Sequence, residues 1–165
     1  LCVAVARGFE SLVKARRLAT SPAVDCVQPE GNDTMAGPLR NGDEKAHECV
    51  CTTKVSGLQV PVVNDGHLVV TECRATGGTG HLVTDEFVWE TQARLAREEG
   101  IFSEPAGAVA LAGALKAASN GELDPDEMHV CLVTGSGFKD GESVVRMLGD
   151  SPCPMLEMDD LAQFE

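Results

Sequence analysis

The sequence contains no tyrosine and a single tryptophan, and aromatic residues make up 4% of its 165 positions. Basic residues are also few, because 13 Lys and Arg stand against 26 Asp and Glu and give a formal net charge of -13. Such a charge repels phosphate backbones and anionic membrane surfaces, and the sequence has no basic stripe to offset it. The composition therefore argues against a nucleic-acid or membrane-surface role.

Long apolar runs and targeting signals are missing as well. No run reaches the roughly 20 apolar residues that a membrane-spanning helix needs, and no segment has the charged start of a signal peptide. The cysteines are odd in number and lack the spacing of a disulfide framework. They are Cys2, Cys26, Cys49, Cys51, Cys73, Cys131 and Cys153. Reduced thiols in a soluble cytoplasmic protein are the best match to this pattern.

The cysteine positions offer little for metal binding. His47, Cys49 and Cys51 carry ligand atoms that suit zinc, but no second pair completes the four positions of a structural zinc site. Cys26 and Cys131 stand in apolar runs, where thiols are usually small core residues. The sequence therefore predicts no metal site.

The length of 165 residues favours one compact domain. Leu1 stands inside an apolar run, which indicates a start in the middle of a longer chain. We expect a folded unit over residues 1–150 and an acidic tail over residues 151–165. The sequence of this tail is compatible with either a solvated extension or a short capping helix.

Apolar residues at helical spacing and capping signals predict four helices. They cover residues 1–19, 84–100, 105–119 and 140–148. In the first, Val5, Phe9, Leu12 and Val13 fall on one face. In the third, Pro105 precedes a run of small apolar residues, which requires neighbours close to its backbone.

Short segments rich in Val or bounded by Gly and Pro predict strands between these helices. They are residues 23–28, 57–61, 67–73, 81–83 and 128–133. Residues 67–73 could instead begin a short helix, and residues 32–50 form either a short irregular helix or a loop. The apolar run 128–133 is typical of a central parallel strand covered on both faces. This alternation predicts an α/β fold with a largely parallel sheet.

The segment Thr134–Gly137 follows the last predicted strand, at the end where open α/β sheets bind ligands. Its glycines allow close approach of the backbone, and the hydroxyls of Thr134 and Ser136 can form hydrogen bonds. The spacing matches neither a phosphate-binding Walker loop nor a dinucleotide fingerprint. A ligand site and a plain turn are both open from these residues alone.

Glu104 precedes Pro105 and the small-residue helix, near the positive end of the helix dipole. Its carboxylate either caps that helix or serves a site. The four histidines are scattered, and no catalytic triad can be built from them. They are His47, His67, His81 and His129.

Two segments together resemble a known family. They are EEGIFSEPAGAVALAGALKAASNGEL (98–123) and VCLVTGSGFKD (130–140), which resemble the C-terminal part of threonine synthases and other fold-type II pyridoxal-phosphate enzymes. VTDEFVWETQARLAREEG, GLQVPVVNDG and VDCVQPEG resemble further parts of that family, and residues 1–19 resemble the helix after its phosphate loop. The resemblance implies a three-layer αβα fold of the tryptophan synthase β type, of which residues 1–150 form the C-terminal portion.

The resemblance also implies a cofactor and a set of residues around it. Pyridoxal 5'-phosphate serves as an electron sink in this family, in reactions at the α, β and γ carbons of a small amino-acid substrate. Thr134 matches the neutral hydroxyl beside the pyridine nitrogen, and Gly135 and Ser136 match the same edge of the ring. Glu104 matches the acid of the family's Glu-Pro motif near the cofactor.

Several family elements have no counterpart here. The lysine that forms the Schiff base and the substrate loop lie in the family's N-terminal half, and none of the five lysines matches that lysine's context. They are Lys14, Lys45, Lys54, Lys116 and Lys139. Gln28 and Thr34 stand where some relatives need acids for a divalent cation, so that metal is not expected.

These likenesses and departures lead to one main interpretation and three alternatives. The main one is the C-terminal part of a threonine-synthase-like lyase that converts O-phosphohomoserine to threonine. It is inactive without the missing N-terminal half and belongs to a homodimer. A threonine or serine dehydratase or a diaminopropionate-type lyase is the enzymatic alternative. A stand-alone binding or regulatory module with the half-fold is the alternative outside enzymes. A generic nucleotide-binding α/β domain ranks below these, because the sequence has no phosphate-binding fingerprint.

Overall fold

Two short parallel strands lie at the centre of the chain, with helices against both faces. The computed structural model describes residues 1–150, and the predicted tail 151–165 lies outside the described residues. The α-helices in the described part are α1 (Cys2–Lys14), α2 (Ala36–Asn41), α3 (Gly66–Ala75), α4 (Asp85–Glu99), α5 (Pro105–Ser119) and α6 (Gly141–Leu148). The strands are β1 (Cys26–Pro29) and β2 (Gly80–Val83), and short 3-10 turns cover Glu30–Asn32 and Gly137–Lys139.

The two strands pair in parallel, with Cys26 opposite Gly80. Because side chains alternate along a strand, each strand faces two different cores. Cys26 belongs to a core formed with α1, α2 and α3, whereas Val83 belongs to a core formed with α4 and α5. The predicted layered α/β arrangement with a parallel sheet is therefore confirmed, with α1–α3 on one face and α4–α5 on the other.

Local signals place the ends of α4 as predicted. The Thr84 hydroxyl accepts a hydrogen bond from the N–H of Phe87 at 3.3 Å, which caps the first turn. At the other end Gly100 takes a left-handed conformation with φ of 69°, which stops the helix. The helix predicted over residues 84–100 is confirmed as α4.

The small residues of α5 let its backbone approach its neighbours, as predicted. Pro105 occupies the first helical position. A Cβ at Gly113 would meet the side chain of Val27 on β1 at 2.5 Å. A Cβ at Gly107 would overlap the carbonyl oxygen of Thr134. The helix is therefore pressed against the sheet at one point and against the following loop at another.

The predicted strand over residues 128–133 is wrong, because this segment pairs with no strand in the described part of the chain. Met128, Val130 and Leu132 are exposed, whereas Cys131 and Val133 are half-buried. This alternation shows that only one face of the segment is covered. A ladder needs a neighbouring strand to take its N–H and C=O groups, and none of the described residues supplies one.

Two other sequence predictions are corrected, and the choice left open for residues 67–73 is settled as a helix. Residues 57–61 form no strand and include a turn at Gly57, whose φ is +83°. Residues 67–73 lie in α3 rather than in a strand, because a helix buries Val70 and Cys73 on one face. The first helix ends at Lys14, before Ala19, since Arg16 turns the chain left-handed with φ of 56°.

The remaining elements agree with the sequence. The ambiguous segment 32–50 contains the short helix α2 followed by a loop, and α6 follows Asp140 as expected. No helix within residues 1–150 combines the length and apolarity needed to cross a membrane.

Candidate functional site

The loop that follows the segment 128–133 packs against the start of α5. Residues Thr134–Ser136, which we call the hydroxyl loop, pass over this helix end because Gly107 has no side chain to block the Thr134 carbonyl. Further along, the N–H of Gly137 donates to the carbonyl oxygen of Phe102 at 3.1 Å. The Phe102 ring also meets the Phe138 ring edge to face, with centroids 4.9 Å apart. The loop is thus attached to the segment just before α5.

The hydroxyl loop presents its polar groups to solvent. Thr134, Gly135 and Ser136 are all exposed. Gly135 has a φ of +66°, a conformation that a side chain disfavours. Neither loop hydroxyl, that of Thr134 or that of Ser136, forms a hydrogen bond with any residue among positions 1–150. Both are therefore available to a ligand at the edge of the loop.

Glu104 lies directly beneath this loop and is largely buried. It is the N-cap residue of α5, but its side chain makes no capping hydrogen bond. Its backbone carbonyl accepts from the N–H groups of Gly107 and Ala108 at 2.9 and 3.2 Å instead. The side chain, which is 19% exposed, pairs with Lys139 at 3.2 Å. Of the two interpretations left open by the sequence, capping by the carboxylate is therefore not observed.

The structure brings the four residues singled out in the sequence together. The carboxylate of Glu104 fills the space beside the Cα of Gly135, while Thr134 and Ser136 flank that glycine. Lys139 was missed as part of this group, although it follows Ser136 by only three positions. The signal available in the sequence was that Lys139 is the lone basic residue between Thr134 and Asp140.

The cysteine-rich segment 47–51 is arranged differently from a metal site. Burial raises the pKa of the Cys49 thiol above its ordinary value, and its Sγ lies 3.7 Å from Oδ1 of Asn32. His47 pairs with Asp43 at 3.4 Å instead. Within residues 1–150, no three His, Cys, Asp or Glu side chains are arranged to hold a metal ion.

Gln28 and Thr34 are occupied in a contact of their own. The amide nitrogen of Gln28 donates to the Thr34 hydroxyl at 3.0 Å. Its oxygen accepts from the N–H groups of Met35 and Ala36 at 2.7 and 2.9 Å. Because these N–H groups belong to the start of α2, the buried Gln28 anchors that helix to β1.

A second polar cluster surrounds His81 on β2. The side chain of His81 is 8% exposed and lies between Asp25 at 3.3 Å and Glu122 at 3.6 Å. Arg40 makes two hydrogen bonds to Glu122, at 2.9 and 3.1 Å. Hydrogen bonds from Arg40 and Asn120 lower the pKa of Glu122 to about 2. Arg40 and Glu122 therefore form the ion pair of this cluster.

Comparisons with known proteins show the family to which the chain is similar. Residues 1–135 match the family described as "Pyridoxal-phosphate dependent enzyme". The threonine synthase of Methanosarcina acetivorans is 31% identical over 147 residues, which cover 86% of this chain and 35% of that protein. The threonine synthase of Methanocaldococcus jannaschii is 47% identical over 72 residues, which cover 44% of this chain and 18% of that protein.

A solved structure shows the same fold. O-ureido-L-serine synthase aligns with 94% of this chain and 42% of its own, with a TM-score of 0.53 and 19% identity. The matching part of this chain spans 35% or less of the two threonine synthases. The family match nevertheless covers well over half of the sequence, and the chain therefore belongs to the pyridoxal-phosphate-dependent enzyme family.

Proposed function

We propose that this chain forms the part of a threonine-synthase-like enzyme that holds the pyridine edge of pyridoxal phosphate. The observation that carries the proposal is the hydroxyl loop. The hydroxyls of Thr134 and Ser136 have no partner within residues 1–150, and the loop that carries them is held at the start of α5 by the close contacts at Gly107 and Gly135. The likeness to two archaeal threonine synthases supports the choice of reaction.

The donor set at this loop fits the cofactor. A pyridine nitrogen needs one hydrogen-bonding partner, and the hydroxyl of Thr134 or Ser136 can either donate or accept. The carboxylate of Glu104 fills the space beside Gly135, whereas Thr134 and Ser136 on either side of this glycine are exposed and can be reached by a ring edge. When bound, pyridoxal phosphate withdraws electrons from the amino-acid substrate.

The residues of this chain then have separate tasks. Thr134 would hold the pyridine edge of the cofactor as a neutral hydroxyl partner, and a cofactor held in this way would supply chemistry at the β and γ carbons of the substrate. Glu104 and Lys139 form an ion pair at 3.2 Å beneath the hydroxyl loop, and this pair stabilises the conformation of the loop. The carboxylate, 19% exposed, stays turned away from bulk water while the Lys139 ammonium, 66% exposed, faces it.

The rest of the activity is assigned to sequence that the relatives have and this chain does not match. We place the lysine that binds the cofactor and the loop that binds the substrate carboxylate there, so this chain alone is inactive. The substrate is O-phosphohomoserine, the product is threonine, and the assembly is a homodimer. The six cysteines within residues 1–150 are free thiols, which suits the cytoplasm.

The experiment is to record cofactor absorbance with this chain alone and with the N-terminal half of a relative expressed alongside. We expect a visible band that survives gel filtration, and a lysine that borohydride links to the cofactor, only when both parts are present. A saturable band with this chain alone would show that one of its own lysines serves. That result would overturn the assignment of the lysine to the other part.

The same preparation identifies the reaction. Release of phosphate and threonine from O-phosphohomoserine would support a synthase. Release of ammonia from threonine or serine, with O-phosphohomoserine left intact, would reject the synthase in favour of a dehydratase. Absence of cofactor binding in every preparation would reject an enzyme and favour a binding module.

A further inference from the structure

A glutamine occupies a core position in α4. Gln92 lies on the same face as Val88 and Leu95, and it is 1% exposed. Its amide nitrogen donates two hydrogen bonds, one to the carbonyl oxygen of Ser103 at 2.9 Å and one to the hydroxyl of Ser143 at 3.1 Å. These partners are 40 positions apart in the sequence, so one side chain connects two separate segments.

The connection continues into the start of α6. The hydroxyl of Ser143 donates to the carbonyl oxygen of Asp140 at 2.9 Å, and the N–H of Ser143 donates to the Asp140 carboxylate at 3.0 Å. Ser103 directly precedes Glu104, and Asp140 directly follows Lys139. Gln92 therefore holds both chain segments whose side chains pair beneath the hydroxyl loop.

The orientation of the Gln92 amide is determined by its neighbours. The carbonyl oxygen of Ser103 can only accept, so the NH2 group of Gln92 must face it. This leaves Oε1 of Gln92 buried without a hydrogen-bond partner among the described residues. An aliphatic side chain of similar size would avoid that cost, but it would leave the buried carbonyl oxygen of Ser103 without its hydrogen bond.

We infer that Gln92 is a positioning residue that sets the spacing between Glu104 and the hydroxyl loop. Through Ser103 it fixes the segment that carries Glu104, and through Ser143 it fixes the end of the segment that carries Thr134, Ser136 and Lys139. The inference rests on the proposed function for the identity of the ligand that the loop holds. The mechanical link between Gln92 and the two segments does not depend on the proposed function.

The test compares Gln92→Met with Val88→Ala in the full chain by hydrogen–deuterium exchange. Gln92→Met keeps the length of the side chain but removes both hydrogen bonds. Val88→Ala weakens the same face of α4, where Val88 is fully buried, without touching either bond. Each variant is measured equally far below its own Tm.

Gln92→Met should raise the exchange rate of the Gly137 and Lys139 amides about 10- to 100-fold, the equivalent of two lost hydrogen bonds. Val88→Ala should leave these rates near those of the unaltered chain. Equal rates in both variants would overturn the inference, because a general loss of stability would then explain the effect. Ser143→Ala removes one of the two Gln92 bonds together with the bond from the Ser143 hydroxyl to the Asp140 carbonyl oxygen. It should also raise these exchange rates, which keeps the test valid if Gln92→Met does not fold.

Gln92→Glu adds a pH signature that general destabilisation lacks. Burial raises the pKa of a carboxyl group, so the introduced group is neutral at low pH and can donate one hydrogen bond. Protection of the Gly137 amide should therefore be partly restored at low pH and lost as the pH rises, whereas Gln92→Met shows no such recovery. A pH-independent loss in both variants would contradict the positioning role.

The cofactor provides the second readout, in the preparation that contains both parts of the enzyme. Gln92→Met should weaken cofactor binding about tenfold, and Val88→Ala should not. Faster exchange in Gln92→Met, together with no cofactor binding in any preparation, would reject the proposed function but support the mechanical link between Gln92 and the loop. Unchanged exchange would reject the link whatever the cofactor does.

Discussion

The carboxylate of Glu104 occupies the space that any side chain at position 135 would need, directly against the Cα of Gly135. The two residues belong to different segments, one at the start of α5 and the other in the hydroxyl loop. Because Gly135 also has a φ of +66°, its lack of a side chain is required twice, by the backbone and by its neighbour. The path of the loop therefore depends on this contact.

Gly135→Ala should destabilise the chain and weaken cofactor binding. We expect a loss of about 1–3 kcal/mol, since an unfavourable φ adds to the overlap with Glu104. Gly121→Ala is the matched control, because Gly121 has a φ of +70° and nothing within 4 Å of its Cβ position. Urea unfolding of both variants measures the difference. A loss as large in Gly121→Ala would show that backbone strain alone is responsible.

Two helical glycines should respond to alanine with opposite signs. Gly107→Ala should lower the free energy of unfolding by about 1–3 kcal/mol, because its Cβ overlaps the carbonyl oxygen of Thr134. Gly8→Ala should raise it by about 0.5–1 kcal/mol, since nothing lies within 4 Å and alanine is the better helix former. Denaturant unfolding curves give both values. Stabilisation by Gly107→Ala would contradict the close packing of α5 against the loop.

Thr134→Ala should reduce turnover in the complete enzyme about tenfold, which corresponds to one hydrogen bond to the ring nitrogen. Thr134→Ser keeps the hydroxyl and should retain most of the activity. Steady-state kinetics and the visible cofactor band are the measurements. Because Thr134 is exposed, neither variant should change the Tm appreciably. Full turnover in Thr134→Ala would reject its assignment to the cofactor.

Glu122 should contribute to the pH dependence of stability. Its pKa is lowered to about 2, first by the hydrogen bond from Arg40, so its stabilising effect is present above its ordinary pKa of 4.5. That effect is lost as the pH falls from 4.5 towards 2, because the folded form must then take up the proton. The difference in stability between the unaltered chain and Glu122→Gln should shrink over this range.

Urea unfolding at a series of pH values measures this difference. Glu127→Gln is the control, because Glu127 is exposed and its side chain pairs with no residue within positions 1–150. A difference for Glu122→Gln that stays constant down to pH 2 would contradict the ion pair with Arg40.

Local signals account for the parts of the fold that the sequence predicted correctly. Thr84 and Gly100 determine the ends of α4, and Pro105 determines the start of α5, through contacts within one helical turn. Such contacts need no distant partner, so a pattern of neighbouring residues is sufficient. The small side chains of α5 likewise indicated close packing, although not which neighbours would be close.

Long-range partners account for the rest. The segment 67–73 is rich in β-branched residues, yet it is helical because Val70 and Cys73 then face a shared core. The apolar run 128–133 forms no strand, because strand formation needs a second strand and no described residue provides one. Gln92 stood on the apolar face of α4 in the sequence, but its two hydrogen-bond partners are visible only in the structure.

The sequence by itself determined the ends of α4, the start of α5 and the α/β class, and it singled out Glu104, Thr134, Gly135 and Ser136 as candidates, since each depends on short spacings or on motif likeness. Only the tertiary structure decided how those residues meet. Glu104 and Lys139 are 35 positions apart, and their pairing against Gly135 depends on α5, the hydroxyl loop and Gln92 together. Side-chain geometry of this kind follows from packing between distant segments, which no local pattern of residues specifies.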